Sequence, residues 1–259
     1  KGSNFTMALL EATFRSHSLN MDTSFYIIIP ESYPEEDIPT LYLLHGMHAS
    51  HTSWVRKTRI EQYANDRNIA VVMPDGENSY YTDMRYGKNF YTYVADELVD
   101  YTRRIFRLSK KREKTFICGL SMGGYGALHT ALKKPEQYAA AASLSGVVDI
   151  AGRVQTCKWT KEAAAIWGDN FKNELAGSDA DLFWLVENFP DSAPRPRIYV
   201  ACGRQDSLYD DNVKFRDFML TTGREKGFEF KYEEGDGVHN WEFWDRWVVP
   251  ALDFMLENP

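Results

Sequence analysis

The sequence predicts an α/β protein with a mostly parallel central sheet of about eight strands and helices on both faces. Three observations lead to this prediction. Short, nearly uniform apolar runs recur along the chain, as expected for strands that are covered on both faces. Segments with the 3.6-residue period of an amphipathic helix lie between those runs. From about residue 40 onward the two alternate, which is the pattern of consecutive βαβ units.

Eight segments have the composition of strands, and they form an edge group and a central group. MALLEATFRS and SFYIIIP are joined by the short HSLNMD, so we expect an antiparallel hairpin at one edge of the sheet. The central runs, which are almost wholly apolar, are TLYLLH, IAVVMP, KTFICG, AAAASLSG and RIYVACG. FEFKYEEG, in which apolar and polar residues alternate, is the last of the eight.

Five helical patterns lie among these strands. Residues 89 to 106, NFYTYVADELVDYTRRIF, repeat apolar side chains close to every 3.6 residues, as an amphipathic helix does. The others cover residues 57 to 66, 122 to 133, 210 to 222 and 240 to 256. Helices in these positions provide the crossovers that parallel strands require.

The chain has the organisation of one α/β domain over residues 7 to 259, with a cap-like insertion at about 147 to 196. No linker composition or internal repeat divides it, and 259 residues suffice for one large domain. The regular alternation of strands and helices stops in the insertion. A segment of that length above a sheet commonly forms a binding lid or cap. KGSNFT, residues 1 to 6, resembles an expression remnant, so we expect the native chain to begin at Met7.

Composition and charge describe a folded protein that does not bind polyanions. Hydrophobic residues make up 44% and charged residues 26% of the chain, as in globular domains. A net charge of −7 disfavours nucleic acid as a partner, because phosphate contacts need clustered lysine and arginine. We interpret the basic LSKKREK at 108 to 114 as a solvated turn. No apolar run approaches the length of about 18 residues that spans a bilayer, so we expect no membrane partner.

Three cysteines, Cys118, Cys157 and Cys202, lack the spacing of a metal site. Two of them lie inside strand-like apolar runs, where cysteine behaves as a small hydrophobe. We therefore interpret all three as reduced thiols and expect a cytoplasmic protein.

The segment FICGLSMGGYGAL, residues 116 to 128, places a serine on the sharp corner between a strand and a helix. Gly119 and Gly123 lie two residues before and two after Ser121, where the neighbouring backbone leaves no room for side chains. Such a turn holds the serine hydroxyl above the sheet, beside the positive end of the helix dipole. Ser121 is therefore the candidate nucleophile, the alternative being a serine that merely caps the helix.

His239 is the candidate base because it follows the last strand at its carboxyl end, on the same rim as Ser121. His129 lies eight residues along the helix after the serine, about 12 Å away, and His17 lies in the N-terminal hairpin. Asp206 follows the preceding strand and stands between the serine and the base in chain order. It is the candidate acid, which would fix the imidazole tautomer while the serine attacks. The alternatives for the acid are Asp149, Asp210 and Asp211.

The loop HGMHAS, after the TLYLLH strand, is where a second oxyanion donor belongs. By position we expect the amide of Met47 to join that of Met122, which begins the helix of the serine corner. His45, His48 and His51 recur at intervals of three in the same loop, a spacing that makes a metal site the alternative. No nearby carboxylate completes a recognisable ligand set, so we favour the oxyanion loop.

Aromatic residues supply the candidates for substrate binding. Tyr80 and Tyr81 lie in a polar loop after a strand end, where they could line an acyl or aryl site. Trp241, two residues after His239, is a candidate for the pocket border. Packing in the core is the alternative for each of them, since Trp241 also lies on the apolar face of the C-terminal helix.

With these residues in place, the chain resembles the esterase D-like branch of the α/β hydrolases, and most of all the small bacterial tributyrin esterases. The blocks LYLLHGMHASHTSW, VVMPDGENSYYTD, REKTFICGLSMGGYGAL, CGRQDSLY and HNWEFW carry the resemblance in order. It implies the α/β-hydrolase fold and a serine carboxylesterase that needs no cofactor and works through an acyl-enzyme. The implied roles are nucleophile for Ser121, base and then acid for His239, and orienter for Asp206.

The resemblance leaves the substrate open among small esters. Tributyrin-type relatives prefer short acyl chains, whereas feruloyl-type relatives take hydroxycinnamates and others take acetylated xylan. S-formylglutathione hydrolases of the same fold typically carry a cysteine just past the oxyanion donor, and HGMHAS has none. We therefore expect short-acyl esters, acylated sugars or hydroxycinnamoyl esters, with a formylglutathione-type thioesterase as the alternative. The resemblance also implies a homodimer or homotetramer.

Overall fold

An eight-stranded sheet forms the centre of the computed structural model, which describes residues 7–30 and 37–257. The spatial order of its strands is β1-β2-β4-β3-β5-β6-β7-β8. The strands are β1 Met7–Ser16, β2 Met21–Pro30, β3 Thr40–Leu44, β4 Ala70–Pro74, β5 Thr115–Leu120, β6 Ala140–Leu144, β7 Arg197–Gly203 and β8 Phe230–Gly235. Residues 1 to 6, which we interpret as an expression remnant, lie outside the described residues.

Only the N-terminal hairpin departs from parallel pairing in this sheet. β1 pairs antiparallel with β2, with Met7 opposite Pro30, and β2 pairs antiparallel with β4. Every other pair of neighbouring strands is parallel. The predicted fold class, a mostly parallel sheet of about eight strands with an edge hairpin, is confirmed.

The described ranges contain eleven α-helices. They are α1 Ser53–Lys57, α2 Ile60–Arg67, α3 Phe90–Thr92, α4 Leu98–Ile105, α5 Met122–Lys133, α6 Ile150–Thr156, α7 Thr160–Trp167, α8 Phe171–Glu174, α9 Leu182–Glu187, α10 Tyr209–Phe218 and α11 Trp241–Leu256. A π-helical turn, Tyr93–Glu97, joins α3 to α4, and a second, Met219–Gly223, extends α10. No helix of 7–30 or 37–257 is long and apolar enough to span a bilayer.

The apolar strand runs are explained by two core clusters, one on each face of the sheet. Tyr42 and Ile117 pack in one cluster, while Leu43 and Cys118, their chain neighbours, pack in the other. Successive strand residues point to opposite faces, so a strand covered on both sides is apolar throughout. The segment 147 to 196 contributes α6 to α9, which lie between β6 and β7 in the chain.

The parallel strands bring their carboxyl ends to one edge of the sheet. Leu44 at the end of β3 pairs with Gly119 of β5, and Leu120 pairs with Leu144 at the end of β6. Gly203, the last residue of β7, pairs with the last residue of β8. The loops after these strands are therefore neighbours, and they carry the candidate residues.

Candidate active site

Ser121 is the corner residue between β5 and α5. Its backbone has φ 53° and ψ −119°, a left-handed conformation that costs free energy for any residue with a Cβ. Two hydrogen bonds hold it there: its amide donates to the carbonyl of Leu144 at 2.9 Å, and its carbonyl accepts from the amide of Val147 at 3.2 Å. The serine is thus fixed by the last residue of β6, the adjacent strand, and by Val147 just after it.

The glycines around Ser121 are required by close approach of the backbone. A Cβ built on Gly119 would lie 2.2 Å from the carbonyl oxygen of Gly123, far inside any ordinary contact. A Cβ on Gly124 would lie 2.5 Å from Oγ of Ser143. These distances are the physical reason for the GLSMGG pattern, in which the helix turns directly back against the strand that precedes it.

The structure brings Ser121, His239 and Asp206 together in one line of hydrogen bonds. Oγ of Ser121 is 2.9 Å from Nε2 of His239. Nδ1 of the same imidazole is 2.9 Å from Oδ2 and 3.1 Å from Oδ1 of Asp206. An ionised carboxylate can only accept, so Nδ1 carries the proton and Nε2 is left to accept from the serine hydroxyl. This is the tautomer that a general base needs.

Asp206 is fully buried beneath the half-exposed imidazole, with side-chain exposures of 0% and 31%. Burial alone would raise the pKa of Asp206. Hydrogen bonds from His239 and from the amide of Leu208, 2.9 Å away, outweigh burial and hold that pKa below its usual value. The carboxylate therefore stays ionised where the imidazole needs an acceptor.

The loops that carry the acid and the histidine are bonded to each other. The amide of Gln205 donates to the carbonyl of Gly237 at 3.1 Å, and the Gly237 amide donates back to Oε1 of Gln205 at 2.7 Å. A Cβ on Gly203 would lie 2.3 Å from the same Gly237 carbonyl, so only glycine fits at the end of β7. These contacts set the distance between Asp206 and His239.

Of the three alternative acids, Asp210 is exposed, and Asp149 and Asp211 have other partners. Asp149 caps α6 by accepting from the amide of Gly152 at 2.9 Å, and its other oxygen accepts from Lys214 at 2.5 Å. Asp211 is bound by the guanidinium of Arg153. Asp206 is thus the carboxylate that faces His239.

The HGM loop lies against the serine, as an oxyanion loop must. A Cβ on Gly46 would lie 3.2 Å from Cβ of Ser121, which places the Gly46 backbone beside the nucleophile. The amide of Met122 is the first of α5, at the positive end of the helix dipole. Neither it nor the amide of Met47 donates to an acceptor within the described part of the chain. Both N–H groups are therefore available to a ligand.

The three histidines of this region do not come together as metal ligands. His45 is 1% exposed, with Nδ1 2.7 Å from the carbonyl of Gly46 and Nε2 accepting from the amide of Gly76 at 2.8 Å. His51 contacts Asp75 at 3.3 Å and Glu11 at 3.2 Å instead. Within the described ranges no group of three or more His, Cys, Asp or Glu side chains could hold a metal ion.

The two tyrosines predicted to line the substrate site have different positions. Tyr80 is 3% exposed, and its ring stacks on Trp159, in the segment between β6 and β7, at a centroid distance of 5.5 Å. Its amide is 3.3 Å from Sδ of Met122, so the Tyr80 backbone adjoins the residue after the nucleophile. Tyr81 is 0% exposed, and its hydroxyl donates to the carbonyl of His45 at 2.9 Å. The prediction that Tyr81 lines a pocket is wrong, because its ring is enclosed in the core.

Trp244, rather than Trp241, packs on the candidate base. The rings of Trp244 and His239 meet edge to face with centroids 4.9 Å apart. Trp241 packs against Trp54 and Trp244 at 5.4 and 5.2 Å, under the ammonium group of Lys57. The sequence could have indicated Trp244 as the residue that packs on His239, since it lies on the same apolar helical face, one turn after Trp241.

Comparison with known proteins agrees with this geometry. A family model described as "Putative esterase" matches residues 16–255. An acetyl esterase of Caldicellulosiruptor saccharolyticus is 34% identical over 267 residues, covering 96% of this chain and 98% of the relative.

Two solved structures are similar over their whole length. The fluorophosphonate-binding serine hydrolase F of Staphylococcus aureus, solved with substrate bound, is 32% identical with a TM-score of 0.88, covering 97% of this chain and 99% of that one. The S-formylglutathione hydrolase FrmB of the same organism is 32% identical with a TM-score of 0.87, covering 97% and 100%. The chain therefore belongs to the putative esterase family, and it is a serine hydrolase of carboxylic esters with the α/β-hydrolase fold.

Proposed function

We propose that the protein hydrolyses small carboxylic esters with short acyl chains through an acyl-enzyme formed on Ser121. The observation that carries the proposal is the unbroken line of hydrogen bonds from Ser121 through His239 to the buried carboxylate of Asp206. A serine hydroxyl is a weak nucleophile until a base takes its proton, and here the base is already within hydrogen-bond distance.

Each of these residues has a step in the proposed mechanism. Oγ of Ser121 attacks the ester carbonyl carbon while its proton passes to Nε2 of His239, and the amides of Met47 and Met122 bind the resulting oxyanion. The carbon–oxygen bond to the alcohol then breaks, and His239 returns the proton to the departing alkoxide. Water repeats the sequence on the acyl-enzyme: His239 takes its proton, the acid leaves, and Ser121 regains its hydrogen. Asp206 stabilises the imidazolium in both halves.

The short-acyl preference rests on two supports. The relative from Caldicellulosiruptor is an acetyl esterase. Tyr80, whose amide is 3.3 Å from Sδ of Met122, packs with Trp159 and with Trp167 at 5.0 Å, and we propose that these three rings form an aromatic wall that limits the space for the acyl chain. Acylated sugars and hydroxycinnamoyl esters are the substrate classes that remain open within this proposal.

The second candidate function is hydrolysis of S-formylglutathione, which the similarity to FrmB favours. A rate panel separates the two: p-nitrophenyl acetate, butyrate and octanoate, methyl ferulate and S-formylglutathione, each measured as kcat/KM. The proposal expects acetate or butyrate to lead and octanoate to be poor. A clear preference for S-formylglutathione would favour the alternative.

Replacement of the nucleophile tests the chemistry. Ser121→Ala should lower kcat on p-nitrophenyl acetate by at least about 10⁴-fold, since the acyl-enzyme cannot form. Ser178→Ala is the matched control: the Ser178 hydroxyl donates to the carbonyl of Leu175 and accepts from the amide of Ala180, neither of which belongs to the catalytic line, so this variant should keep wild-type activity. A phosphonate should label the wild type and Ser178→Ala but leave Ser121→Ala unlabelled. Full activity of Ser121→Ala, or loss of wild-type activity on chelation by EDTA, would refute the proposal.

We also propose that the enzyme acts in the cytoplasm on small-molecule esters. In support, Cys118, Cys157 and Cys202 are free thiols, and two of them are buried. Cell fractionation with an antibody would test the location. The homodimer or homotetramer implied by the family resemblance stays a prediction, which light scattering in solution can measure.

A further inference from the structure

We propose that Tyr81 is a positioning residue of the oxyanion hole, whose hydroxyl fixes the loop that carries the Met47 amide. The inference rests on the esterase function proposed above, because it concerns a donor to the oxyanion formed at Ser121. The tyrosine itself touches no substrate, since its side chain is fully buried.

The contact that supports the proposal is a directed hydrogen bond. The hydroxyl of Tyr81 lies 2.9 Å from the carbonyl oxygen of His45, and a carbonyl can only accept. Burial, together with the negative charge of Asp75, raises the pKa of Tyr81 well above its usual value. The hydroxyl therefore keeps its proton and remains a donor throughout the working pH range.

This bond and one other fix two successive peptide planes. The His45 carbonyl shares its plane with the Gly46 amide, and the Gly46 carbonyl shares the next plane with the Met47 amide, because each peptide unit is rigid. Tyr81 holds the first plane. The His45 ring holds the second, since Nε2 accepts from the Gly76 amide at 2.8 Å and leaves Nδ1–H to donate to the Gly46 carbonyl at 2.7 Å. The direction of the Met47 N–H follows from both.

The ring of Tyr81 occupies a cradle that two glycines leave open. A Cβ on Gly76 would lie 2.3 Å from Cε1 of the ring, and a Cβ on Gly126 would lie 2.5 Å from Cδ2. One glycine lies in the loop after β4 and the other on α5, so the ring links that loop to the helix of the nucleophile. No larger residue at either position would admit the ring in its present place.

The backbone that delivers this ring is strained. Tyr80 and Tyr81 both have φ of +54°, a conformation that L-residues rarely adopt. The turn is held by the side chain of Ser79, whose Oγ accepts from the amide of Tyr81 at 3.0 Å. Two consecutive strained tyrosines send one ring toward Trp159 and the other to the oxyanion loop. Strain of this kind concentrates at functional sites.

Tyr81→Phe removes the donor and keeps the ring. We expect kcat on p-nitrophenyl acetate to fall about tenfold, with KM changed less than about twofold. The reason is that a misplaced Met47 amide weakens binding of the transition state but not of the substrate. The inhibition constant of a trifluoromethyl ketone, whose hemiketal oxygen occupies the oxyanion hole, should weaken by the same factor as kcat/KM. The pH profile should keep its shape, because no titrating group has changed.

Tyr42→Phe is the matched control. Tyr42 on β3 is also fully buried, and its hydroxyl lies 3.0 Å from Oγ1 of Thr102 on α4, a contact that does not involve the backbone of His45, Gly46 or Met47. It should lose stability like Tyr81→Phe but keep kcat and ketone affinity. Replacement of Tyr81 by p-aminophenylalanine, which retains an N–H donor, should restore most of the lost kcat.

The outcomes separate this inference from the function on which it rests. An active Ser121→Ala would overturn the esterase function and the inference with it. If Ser121→Ala is inactive while Tyr81→Phe keeps wild-type kcat and ketone affinity, the inference alone is overturned. Equal losses in Tyr81→Phe and Tyr42→Phe would overturn it as well, since they would mean general loosening of the fold. Loss in Tyr81→Phe alone, with rescue by the amine, supports it.

Discussion

Helix α5 runs so close to the oxyanion loop that residue 123 has no room for a side chain. A Cβ built on Gly123 lies 2.6 Å from the carbonyl oxygens of both Leu44 and His45. Ordinary contacts of a Cβ begin near 3.4 Å, so helix and loop must separate by about 0.8 Å to admit one methyl group. Both obstacles are backbone atoms of a buried strand end and cannot swing aside. Gly123→Ala must therefore displace the loop that carries the Met47 amide.

Two effects of different size follow from that displacement. Overpacking of a core costs about 1–3 kcal/mol, and each kcal/mol lowers Tm by about 2–4 °C in a domain of this size. We expect Gly123→Ala to melt about 6 °C lower than the wild type, a loss that still leaves the protein folded at 25 °C. A shift of about 1 Å in catalytic geometry costs about 10²-fold in rate, so kcat/KM should fall by about that factor.

Differential scanning fluorimetry and p-nitrophenyl acetate turnover measure the two effects on one sample. Gly223→Ala is the control: its Cβ would meet only the side chain of Met219, at 2.9 Å, which can change rotamer. That variant should keep its full kcat/KM. If Gly123→Ala turns over substrate at the wild-type rate, the oxyanion loop does not depend on the fit between α5 and β3, and the reasoning fails.

Two further predictions concern charged partners. Asp206→Asn should lower kcat by about 10⁴-fold, because the asparagine amide allows the wrong imidazole tautomer. Asp149→Asn is the control and should stay active. Near-normal turnover of Asp206→Asn would contradict the assignment of the acid. The hydrogen bond of His51 to Asp75, aided by Glu11, raises the pKa of His51 in the folded protein. The contribution of this bond to folding stability is therefore fully present below the pKa of the unfolded chain, about 6.5. It is lost as the pH rises through the higher pKa of the folded state. His51→Gln should therefore lower Tm more at about pH 5.5 than at about pH 8.5, and equal losses at the two pH values would exclude this linkage.

The sheet and the catalytic line could be predicted from the sequence because both depend on local patterns. A strand covered on both faces must be apolar throughout, as in TLYLLH, and a backbone turning at a serine needs glycine, as at Gly119 and Gly123. The carboxyl ends of parallel strands share one edge, which brings His239 to Ser121 across 118 positions of sequence.

Other features depend on partners that are distant in the sequence. Helices α6 to α9 have four to eight residues each, too short to be stable alone, and are held by contacts such as the Arg153 bond to Asp211. Tyr80 and Tyr81 are adjacent in the chain, yet the ring of one stacks on Trp159 and the hydroxyl of the other reaches the carbonyl of His45. Their directions are set by φ of +54° at both residues, which no propensity for tyrosine would suggest.

The close fit of backbone to backbone at Gly119 and Gly123 has a consequence for protein engineering. The corner that performs the chemistry exposes almost no side chains that a designer could exchange, because the atoms in contact are carbonyls and α-carbons. A library aimed at new substrates should therefore randomise the aromatic wall of Tyr80, Trp159 and Trp167 and leave the glycines untouched. Diversity sampled at those three sites can alter which acid is released without rebuilding the apparatus that releases it.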